Sequence, residues 1–135
     1  GVIHSQWTPI PGRIKDYAKR CTDEICLLIQ IETLEGLKHL EDIASIDGVD
    51  GIFIGPGDLS ADMGYLGQPS HPEVVKVVED GFKRILACGK APGILVGGDA
   101  LTQHYLDIGG LFVAVGADQN VLRDGVTQLA ARFKA

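Results

Sequence analysis

Short apolar runs alternate with longer amphipathic ones along most of the chain. Residues 25–32 form a nearly continuous apolar run that turns polar at its end, as a strand buried on both faces would read. In 34–44, Leu34, Leu37, Leu40, Ile43 and Ala44 fall on one helical face, with Thr33 placed to cap it. Gly51–Ile54 reads as a second buried strand. The stretch 55–70, with four glycines and two prolines, reads as a loop or short turns. Pro72 suits a first helical position, and Val74, Val75, Val78, Phe82, Ile85 and Leu86 then repeat at helical spacing until Gly89 closes the helix. A third strand is expected at 93–96, a helix at 99–108 with Gly109 behind it, and a fourth strand at 111–115. Leu122, Val126, Leu129 and Phe133 mark an amphipathic helix to the end. Ahead of all this, 1–12 with its two prolines reads as loop and 14–21 as a short helix.

The βα unit thus recurs four times, which implies parallel pairing within one domain over residues 1–135. Two architectures satisfy that pattern. One is a small open sheet; the other is half of an eight-unit barrel, which usually needs about 250 residues.

Composition narrows the function classes. The net charge of −6 leaves no basic stripe for nucleic acid and no basic amphipathic segment for a membrane surface. The apolar run at 25–29 is far shorter than the roughly 18 residues of a spanning helix. The first residues lack the charged-then-apolar order of a signal peptide, and the start at Gly1 reads as a processed or truncated product. Cys21, Cys26 and Cys88 show no CxxC spacing, so buried or idle thiols in a reducing cytoplasm are expected.

Candidate chemistry begins at the first strand. In Ile29-Gln30-Ile31-Glu32, alternation puts Gln30 and Glu32 on one face and the isoleucines on the other. Polar groups at the carboxyl end of an apolar strand sit where α/β folds bind ligands, and burying them unpartnered costs several kcal/mol. Glu32 could instead merely open the next helix, meeting its positive dipole end. The next strand ends in Gly55-Pro56-Gly57-Asp58-Leu59-Ser60, where glycines admit a ligand close to the backbone and leave N–H groups for an anion. Neighbouring strands lie about 4.8 Å apart, so Glu32 and Asp58 could share one cation. Asp58 could alternatively cap a short turn over residues 59–62. An all-oxygen donor set suits Mg²⁺ or Mn²⁺ better than structural zinc.

Other candidates carry less. His39 and His104 fall on helices and His71 precedes a proline, placements that suit surface or packing roles. Gly97-Gly98-Asp99 and Gly116-Ala117-Asp118 could cradle phosphate, but turn glycines feeding N-cap aspartates are the favoured reading.

The run IQIETLEGLKHLEDIASIDGVDGIFIGPGDLS at 29–60 resembles the HpcH/HpaI aldolases. So do HPEV at 71–74, GKAPGIL at 89–95 and FVAVGAD at 112–118. The resemblance implies an α/β fold, the C-terminal half (four βα units) of a TIM (β/α)8 barrel. It implies a metal-dependent aldolase that cleaves a 4-hydroxy-2-oxo acid reversibly to pyruvate and an aldehyde, in a cytoplasmic homo-oligomer. Glu32 and Asp58 would bind Mg²⁺ or Mn²⁺. The substrate-facing set would be Gln30, Gly55, Gly57, Asp58 and Leu95: Gln30 on the 2-oxo acid, N–H groups around Gly55 and Gly57 on its carboxylate, Leu95 near the aldehyde end. The family usually has alanine where this chain has Gly57. Its proton-transfer histidine–aspartate pair and substrate-gripping arginine lie in the N-terminal half, so no catalytic residue is assigned here. Three alternatives stay open: a citrate lyase β-like enzyme acting on acyl-coenzyme A, a phosphate-binding barrel isomerase, and an inactive fragment that only associates with another half.

Overall fold

A computed structural model describes residues 16–134. The loop expected at 1–12, and the start of the helix expected at 14–21, lie outside the described residues. Among the described residues, α1 (Tyr17–Glu24) leads into a parallel sheet of β1 (Leu28–Ile31), β2 (Gly51–Ile54), β3 (Ala91–Leu95) and β4 (Phe112–Ala114). Between the strands run α2 (Leu34–Lys38), α3 (Leu40–Ala44), α4 (Pro56–Asp62), α5 (Pro72–Ala87) and α6 (Asp99–Asp107), and α7 (Asp118–Ala131) follows the last.

Strand order decides between the two architectures. The order is β1-β2-β3-β4, every pair parallel and in register, as in Ile31 with Ile54 and Ile54 with Ile94. An open doubly wound sheet would reverse its order partway and carry helices on both faces. Here one face only is covered. Ile31, Ile52, Ile54 and Ile94 pack with Leu37, Leu40, Val74, Val78, Phe82, Ile85 and Tyr105 from the helices. The opposite face carries Gln30, Phe53, Leu95 and Phe112 and is largely bare, Phe112 being 53% exposed. A run of sequential βα units, helices outside and a bare concave face within, is a sector of a (β/α)8 barrel.

That geometry corrects the first expectation, since the strands are buried on one face and not on both. Apolar residues on the bare side need partners beyond these four units. Phe53 and Phe112 already touch edge to face across β3, 6.0 Å between ring centres. Gly93 lies between them, and a Cβ there would meet Phe53 at 2.9 Å.

Two further expectations change, and a third element forms as expected but uncovered. The helix at 34–44 is two short ones, because the chain tightens at His39, whose N–H bonds the Gly36 carbonyl three residues back at 3.1 Å. Leu37 and Leu40, on either side of that turn, both reach the core. The stretch 55–70 is not all loop: Pro56 starts α4, its missing N–H costing nothing in a first turn. The amphipathic stripe of α7 meets no core, Leu122 and Leu129 standing 69% and 55% exposed. Elsewhere the elements are those expected with shifted ends, the third strand running Ala91–Leu95 and α1 continuing to Glu24. His71 caps α5 with Pro72 first in the helix, and Gly89 and Gly109 adopt positive φ where their helices stop. No helix among the described residues is long and apolar enough to cross a membrane.

Candidate metal and substrate site

All six residues singled out for the site line one cavity of about 520 Å³ at the carboxyl ends of the strands: Gln30, Glu32, Gly55, Gly57, Asp58 and Leu95. Strand alternation delivers three of them. Gln30 and Leu95 project from the bare face, and Glu32 follows β1 in the same phase. Gln30 Nε2 donates to Glu32 Oε2 at 2.6 Å, so the amide orients the carboxylate.

Gly55 explains how that pair fits. A Cβ on Gly55 would stand 2.9 Å from Glu32 Oε2, 3.0 Å from Glu32 Cβ and 3.1 Å from Gln30 Nε2. The space a side chain would take is where the carboxylate and amide lie. The Gly55 N–H itself is occupied, donating to the Ile31 carbonyl at 2.9 Å in extension of the sheet. Free amides in this loop therefore begin at Gly57 and Asp58, in the first turn of α4, where no carbonyl stands one turn back.

Asp58 does not cap a turn. The cap position belongs to Gly55 and receives no side-chain bond, and Asp58 stands two residues inside the helix. Its exposed carboxylate has no hydrogen-bond or ion-pair partner among the described residues. Asp62, at the other end of α4, is engaged: its carboxylate accepts the Leu34 N–H at 2.7 Å. Thr33 meanwhile caps α2 by accepting from Gly36 at 3.0 Å. The segment after Glu32 and the helix bearing Asp58 are thus tied together.

The donor set fits a hard divalent cation. Glu32 and Asp58 offer carboxylate oxygens, one oriented by an amide and one unengaged, and Gly55 keeps the ground between strand ends clear. No group of three or more His, Cys, Asp or Glu side chains among the described residues is placed to hold a metal ion by itself, so these two acids would leave most coordination positions to water or substrate.

Of the remaining candidates, Gly97 lines the same cavity beyond the end of β3, while the histidines and the two aspartates resolve as structure. His71 Nδ1 accepts from Glu73 N at 3.3 Å, and the ring stacks on Tyr65 at 3.9 Å. His104 Nε2 pairs with Glu79 at 2.7 Å on the surface between α5 and α6, and His39 sits between α2 and α3 beside Glu35. Asp99 and Asp118 are first helical residues, one position inside the expected caps, behind Gly98 and Ala117. The cavity also includes Phe53, Pro69, Ser70, Val96, Leu101 and Tyr105, none of which the motifs singled out. Phe53 was readable from its period-two phase with Gly55. Leu101 and Tyr105 are one helical turn apart on α6, a signal that otherwise means only core.

Comparison with known proteins identifies the family. Residues 10–125 match the family model described as HpcH/HpaI aldolase/citrate lyase. A 4-hydroxy-2-oxo-heptane-1,7-dioate aldolase of Salmonella paratyphi B is 51% identical over 131 residues, 97% of this chain and 48% of that protein. The crystal structure of an HpcH/HpaI aldolase/citrate lyase family protein from Burkholderia cenocepacia J2315 superposes with a TM-score of 0.79. It is 30% identical and covers 90% of this chain and 47% of its own. An HpcH/HpaI aldolase from Desulfitobacterium hafniense DCB-2 gives the same TM-score at 25% identity, over 96% of this chain and 49% of its own. The chain spans about half the length of the curated relatives it matches. On sequence and on fold together, this chain belongs to the HpcH/HpaI aldolase/citrate lyase family.

Proposed function

We propose that the full-length protein is a divalent-metal-dependent aldolase, reversibly cleaving a 4-hydroxy-2-oxo acid to pyruvate and an aldehyde. This chain, read as its C-terminal half, would carry the metal-binding residues Glu32 and Asp58. The observation behind this reading is that both acids, Gln30, Gly55, Gly57 and Leu95 line one cavity at the strand ends, with Asp58 unengaged. A bound Mg²⁺ or Mn²⁺ would supply polarisation of the 2-oxo carbonyl, drawing off the charge released when the C3–C4 bond breaks.

The chain's own residues would do the rest of the positioning. The Gly57 and Asp58 amides can receive the carboxylate of the 2-oxo acid, a role that passes from Gly55 because its N–H is spent on the sheet. Gln30 would keep Glu32 turned toward the cation and present its amide to the substrate. Leu95, 45% exposed at the end of β3, would border the aldehyde portion. Cleavage also needs a base for the 4-hydroxyl proton, and that group belongs to the other half of the barrel. Free thiols at Cys26 and Cys88 suit a reducing cytoplasm, and the bare sheet face suits assembly with further βα units.

The test is an activity screen of the full-length protein with pyruvate, several aldehydes and several metals, with acyl-coenzyme A thioesters as the competing substrate class. Asp58→Asn and Glu32→Gln should each abolish turnover while the fold survives, and the double variant should lose little more, because both serve one cation. Full activity in EDTA, or in either variant, would remove the metal role.

A further inference from the structure

The cavity does not stop at the bare face of the sheet. Gln30, Phe53 and Leu95 belong to that face, but Val96, Leu101 and Tyr105 belong to the apolar layer between sheet and helices. The cavity therefore extends past the end of β3 to a part, here called the side lobe, bordered by Val96, Leu101 and Tyr105, and Pro69 and Ser70 ahead of α5 also line it. This lobe differs from the carboxylate end in chemistry. None of its lining residues is charged, and the acids at the site, Glu32 and Asp58, are the cavity's only charged lining residues.

Tyr105 is the unusual member. It is 2% exposed, with its ring tilted against Phe82 at 5.2 Å and edge-on to His104 at 5.4 Å. Its hydroxyl makes no hydrogen bond to any described residue, yet no buried side-chain oxygen or nitrogen among them is sealed off without a partner. The hydroxyl thus stays reachable, although the ring is enclosed. Buried tyrosines normally find a partner for that group. Burial pushes the phenol up to about 12, and the neighbouring Glu79 carboxylate acts in the same direction. At working pH the group is a neutral donor, and the negative Glu79, held by His104 at 2.7 Å, disfavours an anion nearby.

We propose that this lobe is a subsite for the far end of the aldehyde, taking an uncharged chain of several carbons whose terminal oxygen accepts a hydrogen bond from Tyr105. The proposal rests on the aldolase reading and names part of the substrate that reading leaves open. Apolar walls at Val96 and Leu101 would reward added methylenes, and the tyrosine would reward an oxygen at the tip.

The experiment measures kcat/KM of the full-length protein with pyruvate against acetaldehyde, hexanal and 6-hydroxyhexanal. Ratios between aldehydes are read, because they do not depend on the fraction of enzyme that is folded. In Leu101→Trp, which fills the lobe, the hexanal-to-acetaldehyde ratio should fall roughly ten-fold or more. In Tyr105→Phe, which keeps the ring, the 6-hydroxyhexanal-to-hexanal ratio should fall by about three- to ten-fold. Ratios within two-fold of wild type in both variants would overturn the subsite. Absence of turnover with every aldehyde in the wild type would instead sink the aldolase reading itself.

Discussion

Replacing Gly55 with alanine sets a single methyl group where the two polar side chains of the site meet. Gly55 has φ −93° and ψ 92°, a conformation alanine adopts readily, so the backbone offers no objection. The conflict is with Glu32 and Gln30. The new Cβ would lie 2.9 Å from Glu32 Oε2, 3.0 Å from Glu32 Cβ and 3.1 Å from Gln30 Nε2. Carbon atoms rest at about 3.5–4.0 Å, so the Glu32 Cβ contact is short by about half an ångström. The carboxylate can swing aside, but its Cβ cannot move without the strand. Relief thus breaks the 2.6 Å bond from Gln30 and turns Glu32 away. Crowding of this kind costs about 1–3 kcal/mol, and the stiffer unfolded chain returns about 0.4–1 kcal/mol, leaving a net loss near ~1 kcal/mol. Metal affinity should suffer more, by at least the roughly ten- to hundred-fold seen when an orienting partner is lost. Calorimetric titration of the full-length protein with Mn²⁺, beside urea unfolding, separates the two effects. Gly57→Ala is the counterpart: nothing lies within 4 Å of its Cβ, so Mn²⁺ affinity should hold and stability should rise slightly. Wild-type Mn²⁺ affinity in Gly55→Ala would refute the claim that this glycine makes room for the Glu32 carboxylate.

Leu95→Ala should alter preference between short and long aldehydes by about 1–3 kcal/mol with Mn²⁺ affinity unchanged; identical selectivity would remove Leu95 from the pocket. The isolated 135-residue chain should associate, because Phe112, Leu122 and Leu129 stand open to solvent, and it should turn over no aldehyde. Light scattering showing a cooperatively unfolding monomer would contradict this. Acid should expose the Arg84–Glu41 pair. The fork of Arg84 donates twice to Glu41 at 2.6 Å and holds its carboxyl down at about 2, against 4.5 ordinarily. Its depressed carboxyl contributes stability above pH 4.5 that is lost as pH falls through about 2, a small effect at an exposed pair. Unfolding midpoints between pH 4.5 and 2 should therefore drop less in Arg84→Met than in wild type.

Much of this was legible in the residues. Period-two alternation placed Gln30 with Glu32, and the cap and stop signals at Pro72, Gly89 and Gly109 bounded their helices. Sheet order was not legible, because parallel βα units in a barrel and in an open sheet share one local pattern. Helix α4 was missed because glycine and proline at 55–57 read as loop, although proline is welcome in a first turn. The depth of the cavity was also out of reach. Tyr105 and Leu101 carry the spacing of core residues, and only the way β3 ends beside α6 makes them border a space. At Gly55 the residue type suggests an amide contact, but its N–H is committed to Ile31 and the missing side chain is what matters.

The bond from the Leu34 N–H to Asp62 bears on how fast one cation could replace another. Glu32 precedes Leu34 by two residues and Asp58 precedes Asp62 by one helical turn, so a single latch spans both carriers of the carboxylates. Loops free of such a latch would spring apart under mutual repulsion whenever the cation left, and each new arrival would wait for them to regroup. With the latch closed, the two acids would keep their spacing with or without a cation. Exchange would then run at the pace of a hydrated ion shedding water, which is quicker for Mn²⁺ than for Mg²⁺, and not at the pace of the chain.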